Sequence, residues 1–256
     1  MIQQQPNAGR SKRRRRAPSQ PPSGSARFAQ NGGQTSADLI YEKLHNAIAQ
    51  MQLRPGAPVS ELSLSSEYGV SRTPVREAIQ RLAKEKLVEI VPKSGTFVGR
   101  IPVSALVEAI VARRALEQVN VRKATERATA SQLLQFRALL QHQKETAATG
   151  DLVAFHRADE TFHAYFATVA GYDGIWELIR QVKLQLDRYR QLTLPQTGRT
   201  EMILDEHCAI IDAMEAGDSN AAADAMGSHL DKLELDLAVF GELWPDYFIH
   251  DKEFES

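Results

Sequence analysis

Gly69-Val70-Ser71-Arg72-Thr73-Pro74-Val75-Arg76-Glu77 reads as a tight turn that feeds the first turn of a helix. Gly69 supplies a turn position that a Cβ would hinder. Thr73 is suited to cap, and Pro74 to the first helical position, where its missing N–H costs nothing. Arg72 and Arg76 are four apart, so a helix reaching back to Arg72 points both guanidiniums the same way. With the hydroxyls of Ser71 and Thr73, such an N-terminus offers N–H groups and cations to phosphates and forked donors to guanine edges. The stretch is read as the recognition element of a DNA-binding domain. Solvated surface arginines are the bland alternative, weakened by their place at a helix start beside hydroxyls.

On the N-terminal side, Leu39, Ile40, Leu44, Ala47, Ile48 and Met51 recur at helical spacing, which predicts a helix over about 37–52 with Ser36 as its cap. Residues 53–58 make a turn. Ser60 caps a short second helix over 61–68, with Val59 ahead of it as a staple. The third helix runs to about residue 86, with Val75, Ala78, Ile79 and Leu82 on one apolar face. Residues 87–91 and 96–98 are short β-branched runs around a turn, hence a hairpin. Three helices followed by a hairpin describe a winged helix-turn-helix over residues 37–100. In that architecture the third helix enters the major groove. The hairpin tip lies against the DNA backbone or minor groove, so Lys93, Gly95 and Thr96 are candidate wing contacts; a lysine on a turn is also ordinary surface.

The net charge of −1 hides a division along the chain. Residues 1–36 carry seven Lys/Arg and no acid, residues 37–100 nine against seven, and residues 101–256 fifteen against twenty-five. A basic front facing a polyanion and an acidic back with another task fit this division. Residues 1–36, rich in Gln, Pro, Ser, Gly and Arg, are expected to be a disordered basic arm. The run Lys12 to Arg16 is either a solvated tail or an arm adding sequence-independent DNA affinity. No apolar run is long enough to span a membrane, no secretory signal is expected, and the single Cys208 fits a reducing cytoplasm.

Residues 101–256 show no strand pattern; helical patterns follow one another at about 103–127, 131–148, 151–169, 174–193, 199–216 and 219–240, an antiparallel bundle over 101–240 with its own core. The fold class is therefore mainly α, a winged helix-turn-helix followed by an all-α bundle, with 241–256 as a tail that docks or trails off. Among the seven histidines, His163 has Asp159 four residues before it, so one helix face presents an oxygen and an imidazole. His207 and His229 neighbour apolar positions. An Asp and three His from three helices can converge on a divalent transition metal, but Asp-x-x-x-His alone also occurs by chance on surfaces, and His207 or His229 alone is more often a partly buried, hydrogen-bonded histidine. Cys208, adjacent to His207, points about 100° away from it and is expected to be a small buried hydrophobe rather than a ligand.

The motif from Gly69 to Ile79, with Arg81-Leu82 and Gly95-Thr96-Phe97-Val98, resembles the N-terminal domain of the GntR family of bacterial transcription regulators over roughly residues 38–99. That resemblance implies operator contacts from Ser71, Arg72, Thr73 and Arg76, with a glycine at the wing tip. Leu62 stands where some members carry a DNA-contacting arginine, so their operator sequence does not carry over. Arg113-Arg114-Ala115-Leu116-Glu117, Asp159-x-x-x-His163, Glu206-His207 and His229-Leu230 resemble the FadR C-terminal effector domain. This implies Asp159, His163, His207 and His229 as ligands of a metal, often zinc, sometimes nickel or manganese. It also implies a small carboxylate effector paired with Arg113; the competing role for Arg113 is an i,i+4 pair with Glu117. The loop Gly171-Tyr172-Asp173 departs from the Gly-Asn of many relatives and does not help to choose an effector.

The leading reading is a cytoplasmic, ligand-responsive repressor acting as a homodimer on double-stranded operator DNA. The rival is a metal enzyme, for which Glu160 and Glu206 are the nearest candidate bases. A third reading is an architectural DNA binder whose helical domain takes no ligand.

Overall fold

The structure, a computed structural model, describes residues 34–235, 237 and 242–249. Most of the predicted basic arm, residues 1–33, and the end of the tail, residues 250–256, lie outside them.

The first helix, α1 (Ser36–Ala49), starts with a capping box on Thr35, whose side chain accepts from the Asp38 N–H while Asp38 reaches back to the Thr35 N–H. The cap is thus one residue earlier than Ser36, because Thr35 and Asp38 satisfy two N–H groups at once. Ser60 caps α2 (Glu61–Tyr68), and Gly69 ends it with φ at 62°, a left-handed position that suits glycine. In α3 (Arg72–Lys84), Ser71 and not Thr73 holds the cap position, so Pro74 falls inside the first turn rather than at its first residue. Val75, Ala78, Ile79 and Leu82 are buried against Ile40, Leu44 and Ile48 of α1. Arg81 fastens α3 to α1: its Nη1 donates to Asp38 Oδ1 at 2.6 Å, and its guanidinium lies 4.0 Å from the Tyr41 ring centre.

The wing is β1 (Val88–Val91) paired antiparallel with β2 (Gly95–Val98), with Val91 opposite Gly95. The segment before α2 runs along the other edge of β2. Val59 N–H donates to Thr96 O and Val98 N–H to Ala57 O, both at 2.8 Å. The hairpin is thereby braced against the helices.

The bundle comprises α4 (Val103–Arg127), α5 (Ala130–Thr149), α6 (Leu152–Ala170), α7 (Asp173–Val182), α8 (Leu184–Thr193), α9 (Arg199–Glu215) and α10 (Ser219–Leu235). The long α4 packs on α6 and α10, and α5 lies between α6 and α9. The single helix predicted over 174–193 is two, broken at Lys183. No Gly or Pro marks the break. Lys183 is buried there, with Nζ 2.6 Å from Glu160 Oε2 and 2.6 Å from Asp187 Oδ2. The bend lets α8 turn Leu186 and Tyr189 into the core.

Contrary to the absence of a strand pattern in residues 101–256, two short strands close the bundle: β3 (Ile101–Pro102) pairs in parallel with β4 (Phe248–Ile249), two residues each and too short to leave an alternating pattern, and Phe248 is buried in the bundle core. This part of the predicted tail docks. The predicted helix end at 240 lies outside the described residues; α10 extends at least to Leu235.

Gly99, between wing and bundle, sits where a Cβ would stand 2.6 Å from the Lys86 carbonyl oxygen. The Gly99 O also accepts from Nη2 of the fully buried Arg188 at 2.6 Å. The Lys86 and Leu87 backbone on one side and the buried Arg188 on the other leave little room to relax. Gly99→Ala should therefore destabilise the full chain by about 1–3 kcal/mol, the usual range for overpacking, read as a lower urea midpoint at unchanged slope. An unchanged midpoint would remove this close approach as a constraint.

Candidate metal centre and nucleic-acid interface

The α2–turn–α3 unit presents Ser71, Arg72, Thr73 and Arg76 on the surface, all exposed, while Val75 on the opposite face is buried. Arg72 and Arg76 share a face because α3 begins at Arg72. Arg76 Nε donates to Glu61 Oε2 of α2 at 2.9 Å, a partner the sequence motif did not suggest. Lys93 and Gly95 are exposed at the wing tip, both with positive φ, 65° and 130°. Thr96 is half-buried and its backbone oxygen is used by Val59, so its side chain is what it offers outward. Leu62 is 63% exposed on α2, an apolar group beside the Glu61–Arg76 pair.

In the bundle, Asp159 and His163 lie four apart on α6, His207 on α9 and His229 on α10, and all four are buried. The structure brings them together. Ring centres of the three histidines are 4.8 to 5.4 Å apart. A nitrogen from each lies within 4.8 Å of the others. Asp159 Oδ2 is 3.9 Å from His163 Nε2, and Asp159 Oδ1 is 3.8 Å from His207 Nε2. Ligands of one first-row ion are about 3–4 Å apart at metal–ligand distances near 2.1 Å, so the set needs little adjustment to close on an ion.

The tautomers follow from the partners. Gln143 of α5 donates from Nε2 to Asp159 Oδ1 at 3.2 Å; a carboxylate accepts only, so Gln143 Oε1 must face His207. His207 then donates from Nδ1 to that oxygen at 2.8 Å, which leaves its Nε2 with the lone pair. His163 donates from Nδ1 to Glu117 Oε2 of α4, and His229 from Nδ1 to Glu206 Oε2 at 2.6 Å. All three Nε2 atoms are buried with no hydrogen-bond partner among the described residues. Three unmatched buried acceptors cost roughly 1–3 kcal/mol each unless a cation takes them. An outer hydrogen bond on every Nδ1 is how metal-binding histidines are oriented.

Burial pushes the Asp159 carboxyl up, but Arg190 together with His163 and His207 outweighs it and holds the carboxyl well below the usual range. Burial opposes ionisation of Glu117 too, yet Arg113 and His163 bring it down to about 2. Burial pushes His207 well below its ordinary value and lowers His229. Burial thus favours neutral His207 and His229 beside an ionised Asp159, the protonation states that ligate.

Arg113 is fully buried on α4. Its Nε donates to Glu117 Oε1 at 2.5 Å, so the i,i+4 pair exists, while Nη1 and Nη2 find no partner among the described residues. Both roles foreseen for it are thus geometrically open at once. Cys208 is half-buried rather than a core hydrophobe: its Sγ lies 3.5 Å from Arg137 Nη1, away from the histidines. Sequence reasoning missed Gln143 and Arg190. Arg190 Nη1 of α8 is 2.7 Å from Asp159 Oδ2, near enough for an ion pair but not aligned as a hydrogen bond. The two carboxylates considered as catalytic bases are engaged, Glu160 with Lys183 and Glu206 with His229 and Lys232.

Family models match both halves of the chain: bacterial regulatory proteins of the gntR family over residues 36–98, and the FCD domain over residues 108–232. An uncharacterized HTH-type transcriptional regulator in an unstable DNA locus of Streptomyces ambofaciens is 33% identical over 224 residues, 88% of this chain and 94% of that protein. The HTH-type transcriptional repressor RspR of Escherichia coli K12 is 30% identical over 209 residues, 82% of this chain and 92% of its own. The solved structure of a GntR-type regulator from Rhodococcus sp. RHA1 superposes with a TM-score of 0.65 at 28% identity, covering 79% of this chain and 97% of that one. These are transcription regulators, not enzymes.

The protonation pattern gives the metal-free chain a distinct pH response. Below about pH 6.5 the unfolded chain protonates residues His207 and His229, which the folded chain keeps neutral, so stability falls with pH. The loss should approach about 1.4 kcal/mol per pH unit for each histidine. Asp159 and Glu117 act in the same direction only below about pH 4, where their unfolded forms protonate. Urea unfolding between pH 7.5 and 5.5 with a chelator present measures this, and His207→Gln should flatten the slope. A pH-independent midpoint over that range would contradict the buried neutral state.

Proposed function

Because the chain belongs to the GntR family of bacterial transcription regulators, in the branch with an FCD domain, we propose that it is a metal-dependent repressor in the cytoplasm. In this reading it binds operator DNA as a homodimer and is released by a small organic acid. The observation that carries the proposal is the convergence of three buried, unpartnered Nε2 atoms, two of them beside Asp159.

In the DNA-binding domain, Arg72 and Arg76 are the base-reading groups, Ser71 and Thr73 bind phosphate, and Lys93, Gly95 and Thr96 follow the backbone at the wing. Two copies are needed because operator symmetry mirrors protein symmetry. In the bundle, Asp159, His163, His207 and His229 hold a divalent transition metal; the nitrogen-rich set suits zinc, with nickel or manganese as alternatives. The bound ion supplies positive charge and open positions for an acid group. Glu117, Gln143 and Glu206 fix the imidazoles, and the unpartnered fork of Arg113 grips the carboxylate of the effector. Among the described residues no helix is long and apolar enough to cross a membrane, in keeping with a cytoplasmic site of action.

The test uses the full chain and a duplex selected from a random pool. Elemental analysis should find about one divalent ion per chain, lost together with His163→Ala and His207→Ala. Arg72→Ala and Arg76→Ala should each weaken the selected duplex by about tenfold or more while leaving metal content and dimer mass unchanged. Unaltered DNA affinity in both variants would sink the recognition helix. A chain that purifies without metal, and whose DNA affinity no acid in a broad panel changes, would sink the effector site.

A further inference from the structure

Arg76 is tied to a second helix. Its Nε donates to Oε2 of Glu61, the first residue of α2, at 2.9 Å. The pair lies on the surface, with the Arg76 side chain 62% and the Glu61 side chain 33% exposed, where an ion pair adds little to stability. Nor does the start of α2 need the Glu61 carboxylate as a cap: Ser60 supplies it, accepting from the Ser63 N–H at 3.2 Å. Val59, two residues before Glu61, is pinned to the wing through its bond to Thr96. Glu61 therefore reaches Arg76 from a fixed base.

A guanidinium carries five N–H groups in one rigid plane. With Nε bound to Glu61, that plane is oriented and the edge formed by Nη1 and Nη2 is left for DNA. Two parallel donors on one edge match O6 and N7 of guanine in the major groove. An arginine without such a partner is free to swing onto a phosphate, a contact that carries no sequence information. The carboxylate also repels phosphates, which works against non-specific binding. Arg72, one turn before Arg76 on α3, holds no carboxylate partner among the described residues. The two exposed arginines are thus held differently, although they share a face.

We propose that Glu61 is a positioning residue for DNA reading: it holds the fork of Arg76 edge-on to a guanine and so sets the base preference at one position of each half-site. This rests on the recognition helix assigned above. Glu61 acts through Arg76 and needs no base contact of its own.

The experiment measures binding of the full chain to the selected duplex and to a set in which each base pair of the half-site is replaced in turn. Arg72→Ala and Arg76→Ala mark the base pair that each arginine reads, as the position at which each flattens the preference. At the Arg76 position the unmodified chain should prefer guanine by about tenfold or more. Glu61→Ala should reduce that preference to about two- or threefold and leave the preference at the Arg72 position unchanged. It should also bind a scrambled duplex at least as tightly as the unmodified chain does. Glu61→Gln, whose amide oxygen still accepts from Nε, should keep most of the preference. Full guanine preference in Glu61→Ala overturns the proposal. So does an equal loss at both positions, the result expected if Glu61 merely steadies the two helices. If no base preference depends on Arg76, the recognition helix falls as well; if Arg76 sets the preference and Glu61→Ala leaves it intact, only the positioning role falls.

Discussion

A fully buried carboxylate is the constraint around which the bundle is arranged. Removing Asp159 from water costs several kcal/mol unless the charge is met by partners. Every neighbour of Asp159 meets part of that cost: Gln143 donates to one oxygen, Arg190 stands at the other, and two imidazoles face it. These partners come from α5, α8, α6 and α9, with α4 and α10 supplying Glu117 and His229 at one remove. No two helices could supply this alone. The polar cluster therefore ties the bundle together in a way that Phe136, Phe162 and Phe166 do not, since hydrophobic contacts accept many arrangements and a hydrogen-bonded cluster accepts few.

The N-terminal half follows the opposite logic. Its core is wholly apolar, from Ile40 to Val98, and its chemistry is left on the outside. Val75 and Ala78 are buried so that Arg72 and Arg76 are not. The exposed positions cost little to keep and contribute little to stability, which frees them to be chosen for the DNA they meet. What holds them in place is α2, through Gly69 and the Glu61–Arg76 pair, and the bracing of the wing by Val59 and Ala57.

These two logics explain what the chain revealed by inspection. The recognition stretch was legible because caps, turn residues and apolar spacing act locally. Asp159 and His163 were legible because their relation is one turn of one helix. Arg190 and Gln143 were not: nothing in Tyr189-Arg190-Gln191 or in Gln141-His142-Gln143-Lys144 separates a buried polar residue from a solvated one, since only the other helices decide it. The break at Lys183 was hidden for the same reason, as the residue that bends the helix is a lysine whose partners are Glu160 and Asp187, one of them on another helix. Thr35 was missed by one residue because its value lies in the reciprocal bond with Asp38. The pairing of Ile101 with Phe248 joins residues too distant in sequence for any local pattern to carry.

Where the two halves meet, α8 is the element both depend on. Arg188 and Arg190 are two residues apart on it and so project about 200° from each other. One reaches the Gly99 carbonyl between wing and bundle; the other reaches Asp159. Leu184, at the start of the same helix, packs on the apolar core of the DNA-binding half. The ten residues of α8 thus join the buried Asp159 to the Gly99 carbonyl, with Arg190 at one end of the connection and Arg188 at the other. The close approach of Gly99 to the Lys86 carbonyl makes that junction tight, because packed interiors leave few voids.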